Sequence, residues 1–175
     1  MELEILYDKT AKNYDELYAE EQKKKYRYVM RGFKCNARAI ADLGCGTGLF
    51  FEQLSKVSRY VVGLDPSFEM LKVAMKRRNH KVDLVLGFAE DLPIKSRSLD
   101  AAVAITVLQN VADREKLYKE LLIAVKGGGT VVLTFLKKVF NVKAVEEELS
   151  KYFRVLKVVN SQKAKDFVFF LEVST

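Results

Sequence analysis

From residue 37 onwards, short apolar runs alternate with segments of helical period, and this alternation restricts the possible folds more than any other feature of the chain. The runs are ARAIADL (37–43), RYVVGLD (59–65), VDLVLGFA (82–89), LDAAVAITV (99–107) and GTVVLTFL (129–136). Strand and helix patterns in turn are the mark of a parallel sheet with helices on both faces. Between the runs, LFFEQLSKV, PSFEMLKVAMKRRN and DREKLYKELLIAVKGGG read as helices. The second opens with Pro66 in its first turn and carries Phe68, Leu71, Val73 and Met75. The third has Asp113 as N-cap, Leu117, Leu121, Leu122 and Val125 at helical spacing, and Gly127 to Gly129 as its stop. VKAVEEELSKYF is a further helix, followed by the β-rich runs RVLKVVNSQ and KDFVFFLEV. These two are too close for a parallel crossover of roughly a dozen residues, so they pair antiparallel. The expected fold is α/β and doubly wound, a mostly parallel seven-stranded sheet with the last strand reversed.

A chain of 175 residues, 49% of them hydrophobic, suits a single domain, residues 1–175. Within it, residues 1–36 read as an N-terminal helical lid and 37–175 as the α/β core. Leu6, Tyr7, Ala11, Tyr14, Leu17 and Tyr18 fall on helical faces, and EEQKKKYRYVMRGF is a second helix; the mouth of the sheet is the natural place for both. No apolar run approaches the roughly 20 residues that span a bilayer, and MELEILYDKT is acidic and amphipathic, so a cytoplasmic protein is expected. Cys35 and Cys45 are too few for a disulfide framework, a four-cysteine metal site or an iron–sulfur cluster, and no metal is expected.

The net charge is +7, with basic residues gathered at Lys23, Lys24, Lys25, Arg27 and Arg31, at Lys76, Arg77, Arg78 and Lys81, and at Lys137 and Lys138. Such clusters suit a polyanion such as RNA. A solvated surface of the Lys- and Glu-rich kind found in heat-adapted proteins is the plainer reading, and the moderate excess favours it.

The segment ADLGCGTGLF (41–50) removes Cβ atoms at Gly44, Gly46 and Gly48, between the first strand and the first core helix. That is the carboxyl edge of the sheet, where open α/β folds bind ligands. Asp65 ends the second strand, where a carboxylate can accept both hydroxyl hydrogens of a ribose. A dinucleotide site would need a third glycine where Leu49 stands, and no Gly-Lys-Ser/Thr of a P-loop follows. What remains is G-x-G-x-G preceded by Asp42, an acid ill suited to lie under a phosphate and well suited to a cationic amine.

With these residues in place, the chain resembles the class I S-adenosylmethionine-dependent methyltransferases, in particular the group similar to ubiquinone/menaquinone-biosynthesis methyltransferases. ADLGCGTG is similar to that family's first motif, VVGLDPSFEML to its second, GFAEDLPIKSRSLDAAVA to its third and fourth, and LIAVKGGGTVVLT to its fifth. The resemblance implies S-adenosylmethionine as cofactor. It implies that Asp42 and the turn Gly44, Cys45, Gly46, Thr47 and Gly48 hold its methionine part, Asp65 its ribose, and Pro66 its adenine. Ala89 and Glu90 match the segment along the adenine edge, and Ile105 a position near the sulfonium. Where family members often carry Gly-Asp-Ala, this chain has Gly87-Phe88-Ala89, so Phe88 is expected to meet the adenine through apolar surface, or Glu90 to meet its amino group. AKNYDELY resembles the family's Tyr-Asp segment, which implies that Tyr14 folds over the cofactor.

Methyl transfer from a sulfonium asks mainly for alignment and exclusion of water. The single histidine, His80, falls on the edge of the sheet opposite the cofactor. Tyr14, Tyr18, Gln109 and Asn110 are the candidates for orienting the acceptor, and neither amide is a base at neutral pH. No Asn-Pro-Pro-Tyr/Phe signature of amide methylation follows the fourth strand. An open, basic mouth suits RNA or a protein, with a small activating partner completing the site; a small molecule under a Tyr-rich lid suits it equally. Aminopropyl transfer, which usually needs an acidic pocket, and a non-catalytic cofactor-binding subunit that supports a partner are the alternatives.

Overall fold

The computed structural model describes residues 14–33 and 36–175, and for residues 14–18 the backbone alone. The expectations on Leu6, Tyr7, Ala11 and Cys35, and on the side chains of Tyr14, Leu17 and Tyr18, lie outside the described residues. Helix α1 (Tyr14–Met30) precedes β1 (Ala37–Leu43), α2 (Phe51–Val57), β2 (Ser58–Asp65), α3 (Phe68–Met75) and β3 (Val82–Leu86). Then follow β4 (Leu99–Ala104), α4 (Arg114–Ala124), β5 (Val125–Leu136), α5 (Val142–Leu149), β6 (Arg154–Val159) and β7 (Asp166–Glu172). The seven strands form one sheet in the order β3-β2-β1-β4-β5-β7-β6. β7 runs antiparallel to both its neighbours and the remaining pairs are parallel, as the sequence implied.

Alternation along the strands feeds two apolar layers. In β4, Ala101 and Val103 face the layer shared with Val29 of α1, Leu54 of α2 and Leu71 of α3. Ala102 and Ala104 face the opposite layer, with Leu117 and Leu121 of α4 and Leu149 of α5. A strand buried on both faces needs apolar residues at every position, which is why these runs read as continuous rather than alternating. Among the described residues no helix is long and apolar enough to cross a membrane.

Several boundaries differ from the sequence reading. α1 runs unbroken from Tyr14 to Met30, so the helix expected to start at Glu20 begins earlier; residues 1–13 of the preceding helical reading lie outside the described residues. α3 starts after Ser67, whose hydroxyl accepts from Met70 N–H at 3.1 Å; Pro66 lies outside the helix rather than in its first turn. Phe68 and Met75 stay 57% and 60% exposed; Leu71 is buried as the spacing predicts, and Met70 and Ala74 are buried beside it. The Asp113 cap is present, accepting from Lys116 N–H at 2.9 Å. Gly127 to Gly129 do not stop α4, which ends at Ala124 and passes directly into β5. The three glycines absorb a register shift, since Leu99 pairs with Val125 but Ala101 with Thr130, and Gly128 adopts a φ of 74°.

Candidate functional site

β1, β2 and β4 all end at one edge, and the segments that follow them wall a cavity of about 290 Å³. Gly44 and Gly46 come from the turn after β1, Asp65 from the end of β2, and Pro66, Ser67 and Met70 from the entry into α3. Phe88, Ala89 and Glu90 follow β3, and Ile105, Thr106, Val107, Asn110, Val111 and Ala112 follow β4. A smaller cavity shares Gly44, Gly46 and Ile105 with it, and is closed by Asp42, Cys45, Thr47 and Leu49 from the core and by Gln22 and Tyr26 from α1.

The glycine turn has two physical reasons for lacking side chains. Gly44 has a φ of 67°, and a Cβ there would lie 2.4 Å from Val107 Cγ2. Gly46 has a φ of 54°, but a Cβ there would meet nothing within 4 Å. Its bare backbone therefore faces open space that a ligand can fill. Gly48 lines neither cavity; its missing Cβ makes room for the ring of Phe51.

Two carboxylates organise the floor. Asp65, 7% exposed, accepts from Gly46 N–H through Oδ2 at 2.8 Å and from Ser67 N–H through Oδ1 at 2.9 Å, so it ties the glycine turn to the start of α3. Asp42, 3% exposed, has no hydrogen bond to a described residue. Burial, reinforced by the negative charge of Asp65, pushes its carboxyl up to about 8. A buried carboxylate in this state gains most from a cation placed against it. Cys45 is buried, and its thiol is held well above the ordinary range by burial and by both aspartates, so it is an inert packing residue.

The loop after β4 is held under strain. Thr106 is β-branched and has a φ of 60°, a conformation that costs about 1–3 kcal/mol. A polar cluster holds it. Its N–H donates to Thr134 Oγ1 at 2.7 Å, its hydroxyl donates to Asp166 Oδ2 at 3.2 Å, and Lys25 Nζ donates to Thr106 Oγ1 at 2.8 Å. Lys25 also pairs with Asp166 at 3.1 Å and Glu21 at 3.2 Å. With its side chain 4% exposed, Lys25 is not part of the basic surface that the sequence suggested. It anchors α1 to the strand ends around the cavity.

Most of the residues singled out in the sequence come together here: Asp42, Gly44, Cys45, Gly46, Thr47, Asp65, Pro66, Phe88, Ala89, Glu90, Ile105 and Asn110. Glu90 accepts from Ala112 N–H at 3.1 Å, which joins the β3 and β4 loops. Gln109 turns away from the cavity and donates to the carbonyl of Thr106 at 2.6 Å. His80 is exposed before β3, at the opposite ends of the strands. Ser67, Met70, Thr106, Val107, Val111, Gln22 and Tyr26 were missed by the sequence reading; Ser67 and Met70 lay inside the second motif and Thr106 and Val107 directly after Ile105, whereas Gln22, Tyr26 and Val111 stood in no recognised motif.

The family model that matches this chain, described as a methyltransferase domain, covers residues 41–133. A ubiquinone/menaquinone biosynthesis C-methyltransferase of Campylobacter jejuni is 34% identical over 125 residues, which is 67% of this chain and 53% of that protein. The chain spans just over half the length of the curated relatives it matches. An S-adenosylmethionine-dependent methyltransferase of Aquifex aeolicus has the same fold, with a TM-score of 0.76 and 20% identity over 85% of this chain and 89% of that one. So does a Haloferax volcanii putative methyltransferase solved in complex with the Trm112 methyltransferase activator, with a TM-score of 0.77 and 16% identity over 97% and 98% of the two chains.

Proposed function

The chain belongs to the class I S-adenosylmethionine-dependent methyltransferases, and we propose that it transfers a methyl group from that cofactor to an acceptor entering between α1 and the β4 loop. The observation that carries this reading is the pair of buried aspartates at the ends of β1 and β2, one tied to the glycine turn and the other with no side-chain hydrogen bond to a described residue. Asp42 offers a carboxyl oxygen for the cofactor's ammonium, and Asp65, at the end of β2 in the cavity wall, carries the carboxylate for its ribose hydroxyls. The turn Gly44, Cys45, Gly46, Thr47 and Gly48 supplies backbone around the methionine part. Pro66, Phe88 and Ala89 give apolar surface for the adenine, Glu90 an acceptor at its edge, and Ile105 a wall beside the sulfonium.

Bound there, S-adenosylmethionine supplies a methyl group on a sulfonium whose departure as a neutral thioether needs no proton donor. The chain contributes alignment and dryness, through apolar walls such as Val107 and Val111 and a β4 loop held by Thr106. Asn110 orients the acceptor, with Gln109 supporting the loop and Tyr14 and Tyr18 at the start of α1 completing the cover. Residues 1–36 then serve as a lid on the core 37–175, a reading supported by Gln22 and Tyr26 in the cavity wall.

A second reading, that a small partner activates the chain or that the chain supports a catalytic partner, is favoured by one observation. β3 is an edge strand, and Leu86 at its end, Phe88 just after it, and Phe68 and Met75 of the adjoining α3 are each about half exposed. Calorimetric titration with S-adenosylmethionine, S-adenosylhomocysteine and NADH tests the site: micromolar binding of the first two alone supports it, and binding of neither refutes it for the isolated chain. Labelled methyl transfer to RNA fractions, compared with small phenols, quinols and amines, then separates the acceptor classes.

A further inference from the structure

Gln22 is polar, belongs to α1, and is 5% exposed. Its Oε1 is buried with no hydrogen-bond partner among the described residues. Leaving such an acceptor unmade is expensive for a folded protein, and a polar group kept in that state in the wall of a cavity marks a place where a donor arrives. The wall is the small cavity in which Gln22 stands with Asp42, Gly44 and Thr47. Asp42 is the second acceptor there without a hydrogen bond to a described residue, and burial has raised its carboxyl to about 8. Two acceptors from different elements, one of them a carboxyl that an arriving cation can hold ionised, meet in a space too small for more than a compact group. That is the chemistry of an ammonium site, because –NH₃⁺ has three donors and no acceptor.

We infer that Gln22 is a ligand for the α-ammonium of the cofactor, sharing it with Asp42, so that the amino-acid end of the cofactor pins α1 onto the core. The inference rests on the reading that S-adenosylmethionine occupies the site. It assigns the helix a direct binding role beyond that of a cover. Lys25, one turn further along and clamped to Thr106 and Asp166, fixes the register in which Gln22 reaches the cavity.

The test compares two ligands, S-adenosylhomocysteine and 5′-methylthioadenosine, which share the nucleoside thioether and differ in the amino-acid end. Each is titrated calorimetrically into the wild type and into Gln22→Met, a substitution of similar length without the amide. The expected result is a loss of about tenfold or more in affinity for S-adenosylhomocysteine, the size of a hydrogen bond to a charged group, with affinity for methylthioadenosine unchanged. The unliganded Gln22→Met protein is expected to melt at or above the wild-type temperature, since an unsatisfied buried acceptor is gone. Equal losses for both ligands, no loss for either, or a lower melting temperature in the free variant would overturn the inference. Wild-type protein that binds methylthioadenosine but not S-adenosylhomocysteine would overturn it while leaving the nucleoside site standing. Wild-type protein that binds neither ligand refutes the cofactor reading itself.

Discussion

Asp42 makes cofactor binding depend on pH in a direction that can be worked out beforehand. With its carboxyl at about 8, roughly nine-tenths of the free protein carries a proton on Asp42 at pH 7. An ammonium ligand binds to the ionised form, so at pH 7 binding first removes that proton, at a cost of about 1.4 kcal/mol or tenfold in affinity. The amino group of S-adenosylhomocysteine, with no sulfonium beside it, remains an ammonium in this range. Its affinity is therefore expected to rise about tenfold per pH unit between pH 6 and about 8, and then to level off. Titrations at pH 7 in buffers of different ionisation heat should show close to one proton released per ligand bound. Methylthioadenosine, which has no ammonium, should show neither effect, and Asp42→Asn should abolish both for S-adenosylhomocysteine. The free protein carries the matching sign: a folded-state value above the ordinary 3.8 stabilises below about pH 4, and this contribution is lost as pH rises toward 8. Affinity that is flat from pH 6 to 8, with no proton released, would refute the assignment of Asp42 to a cation.

Four other perturbations separate binding from folding. Asp65→Ala removes the acceptor of the Gly46 and Ser67 N–H groups, so about 1–3 kcal/mol of stability should be lost in urea unfolding. Affinity for S-adenosylhomocysteine and methylthioadenosine should fall together; unchanged affinity would mean that the ribose lies elsewhere. Gly46→Ala puts a methyl into open space, so binding of both ligands should be lost at a stability cost of about 1–2 kcal/mol for the left-handed backbone. Gly44→Ala drives a methyl into Val107 and should cost distinctly more in the same unfolding assay. Lys25→Met strands the buried Asp166 carboxylate and should cost about 3–5 kcal/mol, much of it recovered when Asp166→Asn is added; a loss below 1 kcal/mol in urea would contradict a buried anchor.

What could be read from the sequence was local in origin. Each core strand is a short run apolar at successive positions, and the turn after β1 announces itself because positive φ at Gly44, Gly46 and Gly48 excludes most other residues. Where the reading failed, a longer-range interaction decided. Phe68 and Met75 have helical spacing, yet α3 buries Met70, Leu71 and Ala74, because its rotation about its axis is set by β2 and β3 beneath it. Gly127 to Gly129 look like a helix stop, but the pairing of β5 with β4 draws them into the strand. Lys25 sits in a run of lysines that reads as solvated surface, and nothing near it reveals that Asp166 and Thr106 await it in the interior.

The amino-acid sequence by itself determined the strand and helix succession, the reversed final strand, the glycine turn and the two aspartates at the strand ends, because each follows from backbone preferences and side-chain periods spanning a few residues. Only the tertiary structure decided which lysine is buried, which face α1 turns inward, and that Gln22 and Asp42 line the same small cavity. A buried charge or amide is tolerable only against the partner standing opposite, and that partner comes from a distant part of the chain brought near by the order of strands in the sheet.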